Sequence, residues 1–246
     1  MIERDLIQRY ARAFAERCAE QIVPSKVGIA YLTPSLPAMY DINALWVLRP
    51  SSFEEAAEEA ETLLARYAHR KLVVPDEEVA DRLVPDAAPG WQATPLLEMV
   101  WEADPGGPST AEEIPLEELR DFRAAQTRRV HRAPDDVVEQ FLRRDDLYRR
   151  AGNGRFFVVR DESGAIRTSL NLFRLDGVAE IDDVQTQEEA RGRGYARAAV
   201  LAAARAARAE GAEIVFLVAD EADWPKDLYR RLGFRTVGRR YEVTRA

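Results

Sequence analysis

The chain has 246 residues, 46% hydrophobic and 32% charged, with 13 glycines and 13 prolines. That is the balance of a folded soluble protein, long enough for one large domain or two fused units. A net charge of −8 and a pI near 5.1 argue against nucleic acid or an anionic membrane as partner and for attraction of cations. Cys18 stands alone, which rules out an intramolecular disulfide, and neither a signal-peptide core nor an apolar run of about 18 residues is present, so a cytoplasmic location is expected.

Apolar residues at helical spacing from Leu6 to Cys18 predict a helix over residues 2–22. Two short apolar runs between Val27 and Pro50, split by the turn Thr33–Pro37, predict a strand pair. Ser51 or Ser52 followed by Glu54 and Glu55 opens a second helix, with an acidic first turn that suits the helix dipole. "KLVVPD" is a short strand, "EEVADRLV" a short helix and "PDAAPGW" a loop. "QATPLLEMVWEAD" is a strand, and a boundary near residue 94 divides the chain into units 1–94 and 95–246. After the loop "PGGPST" come helices in "IPLEELRDFRAAQTRRVH" and "PDDVVEQFLRRDDLYRR". "RFFVVRD", "IRTSLNLFRLDG" and "VAEIDDVQT" then read as successive antiparallel strands. Another helix runs to Gly211, a left-handed cap, followed by the buried strand "EIVFLVAD", the helix "WPKDLYRRL" and a last strand or hairpin, "FRTVGRRYEV".

"EEARGRGYARAAV", residues 188–200, joins a strand to a helix. The first N–H groups of a helix lack intrahelical partners, and with the dipole they favour an anion there. Gly192 and Gly194 remove side chains that would block its approach, and Arg191, Arg193 and Arg197 add positive charge. The Gly-Lys-Ser/Thr of a P-loop is missing, and Arg197 stands where a Rossmann fingerprint needs a small residue. His69 and His131 show no metal spacing. Trp91 and Trp101, flanking the boundary strand, read as core or interface residues.

Arg191-Gly192-Arg193-Gly194-Tyr195-Ala196 resembles the Arg/Gln-x-x-Gly-x-Gly/Ala loop of the GNAT superfamily of N-acetyltransferases. Thirty-four residues beyond Gly194, "LYRRLGF" at 228–234 is similar to that family's "LYxxLGF" ending. The resemblance covers residues 95–246 and implies an α/β (α+β) fold: a mixed, mainly antiparallel sheet flanked by helices. It also implies acetyl-CoA as acyl donor with no metal. Val184, Gln185 and Thr186 would pair with the pantetheine arm, and residues Arg191 to Arg197 would hold the pyrophosphate. Tyr229 would protonate the departing thiolate. Asp223 and Lys226 depart from the family's usual Asn and Ala, and Asp223 reads as the N-cap of a helix starting at Trp224.

A general base is also required, because an ammonium has no lone pair. Strand alternation puts Glu180, Asp182 and Val184 on one face and Ala179, Ile181 and Asp183 on the other. Glu180, eleven residues before Arg191, matches the base position of a family branch acting on lysine side chains, with Asp182 and Asp183 as amine-binding partners. The expected reaction is acetyl transfer to a primary amine of a small cationic molecule, without nucleic acid or membrane as partner and with the oligomeric state open. The alternative is a non-catalytic acyl-CoA-binding or regulatory protein. Residues 1–94 echo the order of elements of the second half. "WVLRPSSFEEA" stands where the phosphate loop would be, so this reads as a degenerate, tandem GNAT-like unit that shapes a cleft wall or substrate choice.

Overall fold

The amphipathic start folds as α1 (Ile2–Cys18), which buries Ile7, Tyr10 and Cys18. It stops short of the expected Ile22, because Gln21–Pro24 form β1: Ile22 and Val23 are β-branched, and Pro24 biases the residue before it toward extended backbone. In the computed structural model, which describes residues 2–245, β2 (Gly28–Leu32), β3 (Ala44–Val47), α2 (Phe53–Leu63), β4 (Arg70–Val74), α3 (Glu77–Leu83) and β5 (Gln92–Trp101) complete the first half. Ser52 caps α2 through a reciprocal capping box with Glu55.

The second half adds β6 (Glu112–Ile114), α4 (Leu116–His131), α5 (Asp135–Ala151), β7 (Arg155–Arg160), β8 (Ile166–Leu175) and β9 (Val178–Thr186). These are followed by α6 (Tyr195–Ala209), β10 (Ile214–Asp220), α7 (Pro225–Arg231) and β11 (Phe234–Arg245). The short edge strand β6 lies between the loop and the helix that the sequence predicts and takes in Ile114, the first residue of that helix. Gly211 takes the expected left-handed conformation, with φ 82°.

All eleven strands form one sheet in the order β1-β2-β3-β4-β11-β5-β10-β9-β8-β7-β6. Neighbours are antiparallel except β3 with β4 and β9 with β10, each joined through a crossover helix. The fold is therefore the mixed, mainly antiparallel α/β class expected from the sequence. Each half runs through an antiparallel meander, a parallel crossover (β3-α2-β4 and β9-α6-β10), a short helix and a last strand. The last strands are exchanged: β11 pairs with β4, and β5 pairs with β10. β5 and β11 also pair with each other along most of their length. Strand β5 spans residue 94, so the sheet continues through the expected boundary.

Period-two alternation sends β10 to two cores. Val215, Leu217 and Ala219 pack under α6, whose alanines at 199, 203, 204 and 207 are buried and let the helix approach closely. Ile214 and Phe216 face the opposite core, built with α1 and α5. A third core joins α2 and α3 to β2, β3 and β4.

Candidate active site

The site begins where β9 leaves β10. Their parallel pairing runs from Val178/Ile214 to Ile181/Leu217 and ends there. Strand β9 continues to Thr186 against β8 alone, while β10 continues against β5. A bulge causes the divergence: between Asn171/Asp182 and Ser169/Gln185, β9 uses one residue more than β8. Asp183 lies inside it with φ 52°, and a bulge bends and twists its strand. The backbone of β9 beyond Ile181 thus faces an open cleft on its β10 side.

The bulge corrects the sequence-based alternation. Glu180 and Asp182 do share a face and line an inner cavity of about 220 Å³. Val184 does not join them: it packs on the core that holds Ala179 and Ile181. Asp183, Val184, Gln185 and Thr186 line the main cleft, about 1160 Å³ in volume.

The cleft extends to the loop before α6. Arg191, Gly192, Gly194, Tyr195, Ala196 and Arg197 line it; Arg193 is not among its lining residues. Gly192 and Gly194 have φ of 77° and 80°, and a Cβ on either would meet nothing within 4 Å. Their value is therefore conformational, because a left-handed backbone is cheap only for glycine. Arg197 is tethered to the loop ahead of β6, its Nη2 donating to the Gly106 carbonyl at 2.9 Å. Arg205 holds the same loop through Asp104 and the Gly107 carbonyl.

Tyr229, on α7, lines the cleft and is 8% exposed. Burial, with the nearby charges of Asp182 and Asp223, pushes its phenol up to about 12. Asp223 is not the N-cap expected from the sequence: α7 begins at Pro225 behind Trp224, without a side-chain cap. Asp223 Oδ1 accepts instead from the Trp224 N–H at 2.8 Å.

Burial raises Glu180 to about 8, and the neighbouring Asp182 charge adds to the shift. Burial raises Asp182 as well. The Tyr10 hydroxyl lies against Glu180 but completes no hydrogen bond. Asp183 is held differently: it pairs with the buried guanidinium of Arg123, and Gln185 Nε2 donates to its Oδ1 at 2.6 Å. Arg123 Nη2 donates to Asn171 Oδ1, which fixes the facing side of the bulge.

Residues with no motif around them complete the site. Asp41, from the turn before β3, lines both the cleft and the inner cavity. It accepts from Arg144 Nη1 at 2.8 Å and from the Tyr148 hydroxyl at 2.9 Å. Burial acts to raise Asp41, but the charges of Arg144 and Lys71 and the Tyr148 hydroxyl outweigh it and hold the carboxyl low. Lys71 of β4 also lines the cleft and pairs with Glu242 at 2.7 Å. The first half thus supplies part of the cleft wall.

His69 is fully buried, with its Nε2 at 2.9 Å from the Asn43 carbonyl, and His131 stacks on Phe141. Among the described residues no group of three or more metal-ligating side chains converges, and no helix is long and apolar enough to cross a membrane. Trp101 is buried and donates its indole N–H to the Leu232 carbonyl, while Trp91 packs edge-on against Phe53.

Similar proteins share this architecture. A conserved protein of unknown function from Staphylococcus epidermidis superposes with a TM-score of 0.69 at 18% identity, over 92% of this chain and 94% of its own. A GCN5-related N-acetyltransferase from Kribbella flavida gives 0.61 at 20%, over 96% and 94%, and one from Sphaerobacter thermophilus 0.54 at 21%, over 78% and 64%. At such identities these likenesses speak for the fold. No curated protein matches the sequence. Residues 116–234 match the model of the acetyltransferase (GNAT) family, a span that holds the bulged strand, the glycine loop and Tyr229. Residues 116–234 are therefore a domain of the acetyltransferase (GNAT) family, which suggests acyl-CoA-dependent N-acyl transfer.

Proposed function

We propose that the protein transfers an acetyl group from acetyl-CoA to a primary amine of a small molecule. The observation that carries this reading is the cleft itself: it opens where β9 and β10 part after Ile181/Leu217, runs to the left-handed glycines 192 and 194, and has Tyr229 in its wall. These features fit the donor. The backbone of Val184, Gln185 and Thr186, free on its β10 side, suits its amide-bearing arm, and Gln185 Oε1 is a buried acceptor without a partner. The free N–H groups at the start of α6, with Arg191, Arg193 and Arg197, suit its pyrophosphate.

When bound, acetyl-CoA supplies a thioester whose carbonyl carbon accepts the amine lone pair as the carbon–sulfur bond breaks. Glu180 takes the proton released by the attacking nitrogen, and its raised pKa suits a base working near neutral pH. Asp182 attracts the incoming ammonium. Tyr229 keeps its proton throughout the working pH range and offers it to the departing sulfur. Asp183, its charge matched by Arg123, serves the amine by holding the bulge that separates Glu180 and Asp182 from the donor-binding residues. Residues 1–94 act as a degenerate GNAT-like unit without a donor loop. The repeated connectivity and the contributions of Asp41 and Lys71 to the cleft support that reading.

Calorimetric titration with acetyl-CoA, followed by thiol release across a panel of primary amines, tests the proposal. Binding with amine-dependent release is expected. Binding without release from any amine would turn the reading into that of an acyl-CoA-binding protein, and no binding would remove it altogether.

A further inference from the structure

The inner cavity between the two halves carries an arginine that the transfer reaction does not use. Arg240, on β11, lines it beside Glu180 and Asp182, and its Nε is buried with no hydrogen-bond partner among the described residues. Other cations of the region are matched by carboxylates: Arg123 by Asp183, Arg144 by Asp41 and Lys71 by Glu242. The Arg240 charge acts on Glu180 and Asp182, yet its donors form no hydrogen bond to either, and a half-buried guanidinium with free donors suits a planar anion, a carboxylate above all. The rest of the wall combines an aromatic side, Phe14 from α1, Tyr31 from β2 and Trp46 from β3 with Phe173 from β8, and two carboxylates already engaged elsewhere, Asp41 by Arg144 and Tyr148 and Glu242 by Lys71. Tyr31 and Trp46 meet edge to face at 5.7 Å.

Three kinds of recognition are thus placed around one space: a carboxylate pair, a guanidinium whose donors have no acceptor, and an aromatic side. A cavity of about 150 Å³ holds one benzene ring, so about 220 Å³ accommodates a ring or branched alkyl group with a short polar head. The cavity adjoins the transfer cleft: Asp41 lines both spaces, and Asp182 lies close enough for its charge to act on Tyr229.

We infer that the acceptor is an α-amino acid with an apolar or aromatic side chain, its amine between Glu180 and Asp182, its carboxylate on Arg240 and its side chain against Phe14, Tyr31 and Trp46. This rests on the acetyl-transfer reading above and narrows its acceptor from amines in general to a zwitterion. A polyamine or amino sugar would leave the Arg240 donors without an acceptor and set polar groups against Phe14, Tyr31 and Trp46, where unpaired polar groups are costly. In the transfer, Glu180 takes one proton from the ammonium, the freed lone pair forms the bond to the acetyl carbon as the carbon–sulfur bond breaks, Tyr229 protonates the sulfur, which leaves as a thiol, and the second proton of the nitrogen returns through solvent to Tyr229. No oxidant or further reactant is needed.

The test compares L-phenylalanine and L-leucine with 2-phenylethylamine and 3-methylbutylamine, which lack only the carboxylate. Thiol release and calorimetric binding are both read, on wild type, Arg240→Gln and Arg240→Lys, with acetyl-CoA binding as the check on folding. The expected result is that wild type prefers the amino acids. Arg240→Gln should lower their kcat/KM on the order of 100-fold, as loss of one partner of a buried charge pair does, while the two amines change little and Arg240→Lys recovers part of the loss. Equal use of amines and amino acids, or equal loss for both in Arg240→Gln, would overturn the inference and leave acetyl transfer standing. Arg240-dependent binding of L-phenylalanine without any thiol release would instead keep the amino-acid site and overturn the catalytic reading.

Discussion

Asp183 sits at φ 52° inside the β9 bulge, and the guanidinium that pairs with it, Arg123 of α4, is itself buried and also holds Asn171 on the facing strand. One arginine therefore fastens both sides of the irregularity that separates β9 from β10. The strained backbone costs on the order of 1 kcal/mol, and the ion pair keeps it in place. Arg123→Met leaves Asp183 without its counter-charge in a largely enclosed site. It should lower stability by about 3 kcal/mol and weaken acetyl-CoA binding, since the edge of β9 forms the donor cleft. Urea unfolding and calorimetry check the two effects. Unchanged acetyl-CoA affinity in a folded Arg123→Met protein would separate the bulge from donor binding.

Tyr229→Phe removes a phenol and leaves a ring of nearly the same shape. Turnover should fall by roughly 10²-fold or more, the range expected for a positioned proton donor, with acetyl-CoA affinity kept within a few-fold. Steady-state kinetics beside direct titration separates the terms. Equal losses in turnover and affinity would make Tyr229 a packing residue.

Most of the fold was legible because local patterns carried it: capping at Ser52, the left-handed Gly211, the alternating strands, and the alanine-rich α6 behind its glycine loop. The "LGF" glycine also has a local reason, since Gly233 turns left-handed at φ 88° and a Cβ there would strike the Ala103 carbonyl at 1.9 Å. What stayed hidden depends on distant pairing. A bulge needs the partner strand to define it, so the face of Val184 could not be read from β9 alone. The exchange of β5 and β11 joins residues more than a hundred positions apart. Asp41, Arg123, Arg144 and Arg240 belong to no motif and acquire their meaning only from what the fold places beside them.

Gly192 tests the loop by conformation. Its surroundings are empty, so a side chain costs backbone strain rather than a clash. Asn enters the left-handed region several-fold more readily than most residues, and β-branched residues hardly at all. Gly192→Asn should keep acetyl-CoA affinity within about tenfold of wild type, and Gly192→Val should lose on the order of 1–2 kcal/mol more. The comparison uses KM for acetyl-CoA at saturating amine. A ranking with Val above Asn would show that the glycine serves something other than its φ.

Glu180 ties catalysis to stability through one proton. A base must be ionised to act, so the rate should climb as pH rises toward about 8 and level off above it, and Glu180→Gln should remove that limb. The effect on stability has the opposite sense. The folded carboxyl holds its proton well above the ordinary value of 4.5, so between those two pH values the folded state binds more protons than the unfolded chain. Its contribution to stability is fully present below about pH 4.5 and is lost as pH rises through about 8. Glu180→Gln cannot ionise and escapes that loss. Its unfolding free energy should therefore gain on wild type steadily from pH 5 to pH 8, measured by urea titration at several pH values. Parallel pH profiles for the two proteins would place the folded Glu180 back in the ordinary carboxylate range and pass the base role to Asp182 or to water.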